Sequence, residues 1–482
     1  MKSLFKNISI YAFGDIIHKS IQFLLLPLYT NLLSPGTFGE LEFVYMVGSI
    51  LVILNGLLIQ NGYARFYFDS NDIKSRKLVF GTSFLFIFST SFLVLLICLN
   101  FASEISSFIF DSSDGEQYIK LIAISTVIGS IYTLLDKNLI VRQKAKSYVI
   151  INIIDSIITI SLTIYFVVIL NLSVIGILQA QIIGRVFRLV MLLFVTYSEI
   201  GLLFSFSILK KMLYFSIFLI PSEISSFIAY MSNRIFINDY SDLTQVGVFS
   251  LGYKIASITP ILITGPIKKA FKPHIFSLIT NEKKLKQEFS VFIKIYSVIT
   301  ILFIFVLSLF SRELISIMAD ESFLLSYKVI FPLSIGYFII GLSALINTGL
   351  AVKKKTWIFG YAWIICAILN LLLNYLLVPI YGNMGAAYST TLSFFSVLII
   401  YAVYLDKIFP VKINYLQIFY LLLTSFLFYS ILEIFVLSFF YLIFIKFLIL
   451  SLFILLIWFG GFLNKKEKLF FKNLIRKKSS IK

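Results

Sequence analysis

Few residues in this 482-residue chain can do chemistry, and most of them stand inside apolar runs, where an ionised side chain is costly. In the stretch "GDIIHKSIQFLLLP", Asp15, His18 and Lys19 are spaced i, i+3 and i+4, so a helix places all three on one face. At 1.5 Å of rise per residue, Asp15 lies roughly 10 Å and Lys19 roughly 16 Å into that run. Asp15 can pair with Lys19, either as a neutralised packing pair or as the lining of a wet cavity. An imidazole of ordinary basicity changes charge near physiological pH, which makes His18 a candidate proton sensor. Further along, Arg185 and Arg188 are three apart and share a face, with Asp155 in the preceding run as a partner. Lys254 follows Tyr253 in "LGYKIAS", roughly 12 Å or more from the nearer surface. Glu223, beside Pro221, can couple an ion or bond a neighbouring helix. Lys446, in the last run, reads as a snorkelling or packing residue.

Binding of charge and movement of protons are the chemistry these groups offer. The chain has no D-x-D, Walker, G-x-S-x-G or H-E-x-x-H pattern, and neither a large catalytic loop nor an acidic metal motif that would suggest an enzyme. Cys98 and Cys366 fall inside apolar runs, which speaks for packing and against a metal site or disulfide framework. No cofactor and no metal is expected.

The elements that position these residues follow from composition. With 59% hydrophobic and 13% charged residues and a mean hydropathy of +0.98, the chain is an integral membrane protein. The first apolar run is too long for a signal-peptide core and lacks a small-residue cleavage site, so it is expected to stay in the membrane. A crossing needs about 20 mostly apolar residues. That length predicts about fourteen transmembrane helices in an all-α fold, near residues 8–33, 41–62, 79–101, 119–135, 149–170, 174–196, 212–231, 246–264, 292–309, 329–346, 357–378, 386–405, 416–431 and 437–459.

The charge of +18 is spread as short basic clusters between apolar runs and not as one continuous face, so it speaks for topology and not for nucleic acid. With the N-terminus inside, segments such as "KNLIVRQKAKSY", "VKKKT" and the tail "KKEKLFFKNLIRKK" hold most of the 41 basic residues. The outer segments contribute only Lys120, Arg234, Arg312 and Lys328 among a larger number of acids. Both termini are therefore expected in the cytoplasm. Arg234, in "SNRIF", breaks the charge rule for its side and is a functional candidate for that reason. Arg65, at the inner end of the second run, is either an anchor or a ligand contact.

An internal repeat constrains the architecture further. Shifted by 209 residues, Asn138 falls on Asn347, Lys144 on Lys353 and Gly176 on Gly385. Shifted by 208, Gly39 falls on Gly247 and Tyr45 on Tyr253. Six duplicated spans are an even number, so the two copies are parallel and related by an axis along the membrane normal. The predicted domains are an N-terminal lobe (1–204), a C-terminal lobe (205–408), and a final helix pair with a basic tail (409–482).

The segments "GDIIHKSIQFLLLPLYTNLLSPGTFGELE", "YARFYFD", "MSNRIFINDYSDLTQVGVFSLGYKIAS" and "VPIYGNMGAAYST" resemble the polysaccharide biosynthesis flippases. These are the Wzx-type, O-antigen transporters of the multidrug/oligosaccharidyl-lipid/polysaccharide (MOP) superfamily. The resemblance covers essentially the whole chain. It implies a non-enzymatic protein of the bacterial cytoplasmic (inner) membrane that moves an undecaprenyl-pyrophosphate-linked oligosaccharide from the cytoplasmic to the outer leaflet. Its partners would be that lipid-linked glycan, membrane lipids and other polysaccharide assembly proteins, and no nucleic acid. Under this reading Asp15, His18, Lys19, Arg65, Arg185, Arg188, Arg234 and Lys254 line the substrate path. Arginine supplies a planar fork for phosphate oxygens and lysine a point charge. Asp15, His18, Asp155 and Glu223 are the candidates for coupling to an ion gradient, because no nucleotide-binding motif is present. Pro27 and Pro221, in the first spans of the two repeats, are candidate hinges as matching kinks. The alternatives are a lipid II flippase or drug/cation antiporter of the same superfamily and, with less support, a membrane polymerase or glycosyltransferase.

Overall fold

A computed structural model describes residues 23–69, 72–110, 115–434 and 439–462. Asp15, His18 and Lys19 lie outside the described residues. All the regular structure described is helical, as an apolar surround requires when every backbone N–H and C=O must find a partner within the chain. The main helices are α1 (Leu26–Leu32), α2 (Pro35–Leu54), α3 (Ile59–Phe66), α4 (Ile73–Asn100), α5 (Ala102–Phe110), α6 (Glu116–Val141), α7 (Ala145–Ile164), α8 (Ser173–Thr196) and α9 (Phe206–Ile217). They continue with α10 (Ile220–Tyr240), α11 (Leu243–Ala256), α12 (Gly265–Ser277), α13 (Glu282–Leu309), α14 (Ser311–Met318), α15 (Tyr327–Val352), α16 (Trp357–Ile408), α17 (Tyr415–Ile434) and α18 (Phe439–Phe459).

Local sequence sets where these helices begin. Ser34 caps α2, its hydroxyl accepting from Thr37 N at 3.2 Å, with Pro35 at the first helical position. Asp72 caps α4 by accepting from Ser75 N at 3.0 Å, and these hydrogen bonds hold its carboxyl below the usual carboxylate range.

Among the described residues, eleven helical stretches are long and apolar enough to cross a membrane, or twelve with the bent pair α9 and α10 taken as one span. At 52 residues α16 is too long for one crossing. Gly382, at φ 54° and ψ −131°, interrupts it and leaves two segments that are each long enough to span.

Two expected boundaries are corrected. The second span does not run unbroken to Gly62: the helix stops at Leu54, and Gly56, Leu57 and Leu58 all take positive φ before α3 resumes. That left-handed turn is strained for leucine and permits a glycine approach to Ile87 that a Cβ would crowd. The fourth span does not stop at residue 135; α6 runs to Val141 and carries Asp136 into the helix.

The chain divides into two compact units. The first contains residues up to Tyr253 together with Ile315–Val329 and Thr356–Val397. Its apolar core includes Ile59, Tyr63, Phe80, Leu134, Leu139 and Met212, with α6 packed against both α4 and α8. The second contains Lys254–Leu314, Ile330–Lys355 and the residues from Leu398 onward. Its core includes Phe271, Phe289, Tyr296, Phe305, Phe338 and Phe453, with α13 packed against α17 and α18.

Candidate functional site

Two buried ionic clusters lie in the first unit. One joins α6, α7 and α8. Arg188, on α8, points between α6 and α7, where Nη2 donates to Asp136 Oδ2 at 2.6 Å and Nη1 to Asp155 Oδ2 at 3.0 Å. Its guanidinium also stands over the Tyr132 ring, 4.6 Å from the centroid. One turn earlier, Arg185 donates to the Ser125 carbonyl at 2.7 Å. Arg185 and Arg188 together match Asp136 and Asp155 in charge, so the cluster is neutral as a foursome. Sequence spacing predicted Asp155 as the partner of the pair Arg185 and Arg188. It missed Asp136, because a span ending at residue 135 placed that acid outside the helix.

The other cluster joins α2 to α10, which are far apart in sequence. Arg234, on α10, is 2% exposed, and its Nη2 donates to Glu42 Oε2 on α2 at 3.0 Å; Glu42 is 4% exposed. The guanidinium packs over the Tyr253 ring on α11, 5.0 Å from the centroid. Here too the sequence singled out the arginine and missed the acid. The available signal was that Glu42 lies three residues after Gly39, on the same helix face.

That face makes a close crossing. A Cβ on Gly39 would collide with the Leu243 carbonyl, and a Cβ on Gly247 would collide with the Pro35 carbonyl. Gly39 is four residues past Pro35 and Gly247 four past Leu243, so each glycine meets the same position of the other helix. This is an isologous contact of the kind a two-fold relation generates, made by the pair of glycines that the 208-residue shift aligns. Around the crossing, Thr30 Oγ1 and Asn31 Nδ2 donate to the Met318 carbonyl at 3.0 and 3.1 Å, and Phe38 meets Phe323 edge-on with centroids 5.7 Å apart. Every one of these contacts lies at helix ends that the charge rule assigns to the outer side. Asp320 is part of the same seam, with its N–H donating to the Thr30 carbonyl at 3.3 Å. Hydrogen bonds from the Ser322 hydroxyl and backbone hold its carboxyl below the ordinary range.

Beside Arg234 in sequence is an uncharged network that the sequence did not suggest. Asn233 Nδ2 donates to Thr390 Oγ1 and Asn374 Nδ2 to Asn233 Oδ1, both at 2.8 Å, while Ser232 Oγ donates to Asn370 Oδ1 at 2.8 Å. The three asparagines are fully buried. They cross-link α10 to α16 without charge.

The other predicted residues are placed apart from these clusters. Arg65 and Asp69 form an exposed i, i+4 pair at 2.6 Å, with side chains 58% and 50% exposed. In the same "YARFYFD" motif Tyr63 turns inward and accepts from Asn138 Nδ2 at 2.9 Å, so the motif splits into a buried tie and an exposed charge. Lys254 is half-buried at the end of α11 and belongs to the second unit. Glu223 is exposed in the first turn of α10. In the second unit Lys446 does not snorkel: its Nζ is held by both carboxylate oxygens of Glu313 at 2.7 and 2.8 Å.

Pro27 and Pro221 each follow a break in helix, at Leu25 and at Phe218–Leu219, and the second break bends α9 against α10 by 42°. The two breaks are not in register, however. Pro27 lies 12 residues before Gly39 and Pro221 lies 26 before Gly247, so the kinks do not match under the repeat.

The fold is that of multi-span membrane transporters of the MOP superfamily. A structure of the lipid II flippase MurJ in an inward closed conformation superposes with a TM-score of 0.70 at 15% identity, covering 98% of both chains. An inward-facing multidrug resistance MATE transporter superposes with a TM-score of 0.67 at 14% identity over 80% of this chain and 93% of its own. At the level of sequence, residues 29–328 match the family described as polysaccharide biosynthesis protein, and the chain belongs to that family. An uncharacterized membrane protein of Haemophilus influenzae is 28% identical over 293 residues, 59% of this chain and 67% of its own. A probable low-salt glycan biosynthesis flippase of Haloferax volcanii is 23% identical over 216 residues. That match spans 44% of this chain and less than half, 46%, of the relative.

Proposed function

We propose that this protein is a flippase that carries an undecaprenyl-pyrophosphate-linked oligosaccharide, such as an O-antigen, capsule or exopolysaccharide repeat unit, from the cytoplasmic to the outer leaflet by alternating access. The observation that carries this reading is the seam where α2 crosses α11. There the buried Arg234 to Glu42 ion pair lies beside the Gly39 and Gly247 crossing, and within this proposal water replaces each partner of the pair when the outer side opens. Family membership supports a polysaccharide precursor as cargo, and the glycan flippase among the relatives supports a lipid-linked one.

Within this proposal, Arg65 makes first contact with the pyrophosphate at the cytoplasmic side, because its exposed partner Asp69 is readily exchanged for a phosphate. Lys254 and Arg185, both half-buried, act further along the path together with Lys19. Arg188 and Arg234 are already paired with carboxylates, so they meet phosphate only in a conformation that frees them. Asp15, His18, Asp155 and Glu223 are the proposed coupling groups, and the breaks before Pro27 and Pro221 the proposed flexing points. The protein works in a bacterial cytoplasmic membrane with both termini inside.

Complementation of flippase-deficient strains that make different lipid-linked repeat units tests the cargo. Rescue of glycan display with at least one unit is expected. Failure with every unit alongside drug efflux would support the second reading, a multidrug or lipid II transporter, which the fold likeness equally accommodates. Lys254→Ala and Arg234→Ala are expected to lose display while Lys254→Arg and Arg234→Lys retain part of it. Equal display by all four would remove these cations from the path.

A further inference from the structure

The second unit contains a recess of about 400 Å³ that no part of the flipping reading uses. It lies where the start of α13, the start of α17 and the residue just past α18 come together, and it is lined by Ser290, Lys294, Lys412, Asn414, Gln417 and the backbone at Gly461, with Val291 and Ile418 at its apolar edge. We propose that this recess is a headgroup site for an anionic phospholipid of the inner leaflet, with the lipid phosphate between Lys294 and Lys412.

Three features point to that class of ligand. The first is charge: two lysines from different segments converge on the recess, and the described residues lining it include no carboxylate. The second is rigidity. Ser290 Oγ donates to the Lys412 carbonyl at 2.6 Å, Gln417 Nε2 donates to the Gly461 carbonyl at 3.1 Å, and the Gln417 N–H is capped by Asn414 Oδ1 at 3.0 Å. These bonds join the three segments, so the walls are fixed without a ligand and little ordering is needed to bind one. The third is the surround. Val291, Leu416 and Phe419 are 42%, 63% and 57% exposed on helices that read as spanning, which provides an apolar surface for acyl chains next to a polar pocket. A soluble anion would use the lysines and leave that surface idle. Basic pockets between helices on the cytoplasmic side are suited to lipid headgroups for this reason. The bound lipid would brace α13, α17 and the end of α18 against one another.

The test uses the full-length protein purified in detergent, stripped of lipid and offered nanodiscs of phosphatidylglycerol or phosphatidylcholine, with retained lipid counted by native mass spectrometry. Each lysine is expected to contribute about fivefold to retention of the anionic lipid. Wild type should therefore retain phosphatidylglycerol well above phosphatidylcholine, and the double variant Lys294→Gln/Lys412→Gln should fall to the phosphatidylcholine level. Lys211→Gln, an exposed lysine on α9 in the other unit, should behave as wild type. Lys412 is exposed, so Lys412→Gln alone preserves folding and should lower retention by about fivefold even if the double variant does not fold. Undiminished retention in Lys412→Gln, or equal retention of the two lipids by wild type, overturns the proposal. Complete displacement of phosphatidylglycerol by millimolar inorganic phosphate also overturns it, since the ligand would then be a free anion.

Discussion

The two arginine clusters of the first unit solve the same problem in opposite ways. Arg188 is gripped by two acids from the neighbouring helices α6 and α7, with an aromatic ring across its face. Among the described residues Arg234 donates to one acid, Glu42 on the distant helix α2. A guanidinium held by two acids must give up two charge-assisted bonds to let go, so it is freed less readily. The single ion pair between α10 and α2 separates if water or another anion replaces each partner. The first arrangement suits a fixed scaffold and the second a contact that is made and broken.

The largest expected effect tests the scaffold side of this comparison. Arg188→Ala removes the guanidinium that Asp136 and Asp155 share, and should cost about 3–5 kcal/mol of stability. A lower unfolding temperature in detergent and reduced membrane abundance are the measurements. Arg234→Ala should cost less, about 1–3 kcal/mol, because opening the seam lets Glu42 reach water. Its signature is instead a change of conformation: a cysteine placed at Thr30 or Met318 should become more reactive to a membrane-impermeant thiol reagent. If Arg188→Ala raises that reactivity as much as Arg234→Ala does, the division into scaffold and seam is wrong.

A smaller and more discriminating effect comes from the glycines. Gly39→Ala and Gly247→Ala each push a Cβ into a backbone carbonyl of the opposing helix, which cannot swing aside as a side chain would. Both should raise reactivity at the seam to a similar degree, and the double variant should add little, since one obstruction already holds the helices apart. Strictly additive effects would show that the two contacts are independent.

The smallest effect is that of pH on Asp320. Its carboxyl is held below the ordinary range, so the hydrogen bonds from Ser322 support the seam fully above the usual carboxylate pKa and are lost as pH falls through the depressed value. The seam should therefore be insensitive to pH from about 5 to 8 and loosen only below about 4. Asp320→Asn should flatten that acid limb in the same thiol-reactivity assay.

The membrane class and the helical fold are legible in the sequence because the bilayer demands long apolar runs and internal backbone pairing. The arginines are legible for the same reason, since a charge in such a run stands out. Their partners are not. Asp136 looked like a loop residue because the apolar run ends one position earlier, and helix continuation past the hydrocarbon is decided by packing and not by hydropathy. Glu42 looked like a residue of the outer boundary until the crossing of α2 and α11 buried it. The repeat aligned Gly39 with Gly247, yet nothing in an alignment says that two equivalent residues meet. The break at Gly56–Leu58 was invisible because leucine gives no warning of a left-handed conformation.

Reciprocity at the glycine crossing limits how the segments 35–39 and 243–247 can change in sequence. A single-residue insertion between Pro35 and Gly39 would turn Gly39 about 100° away from the Leu243 carbonyl and at once move the Pro35 carbonyl that Gly247 faces. Neither segment can therefore repair the contact alone. Changes here must proceed in step, with the four-residue spacing kept in both.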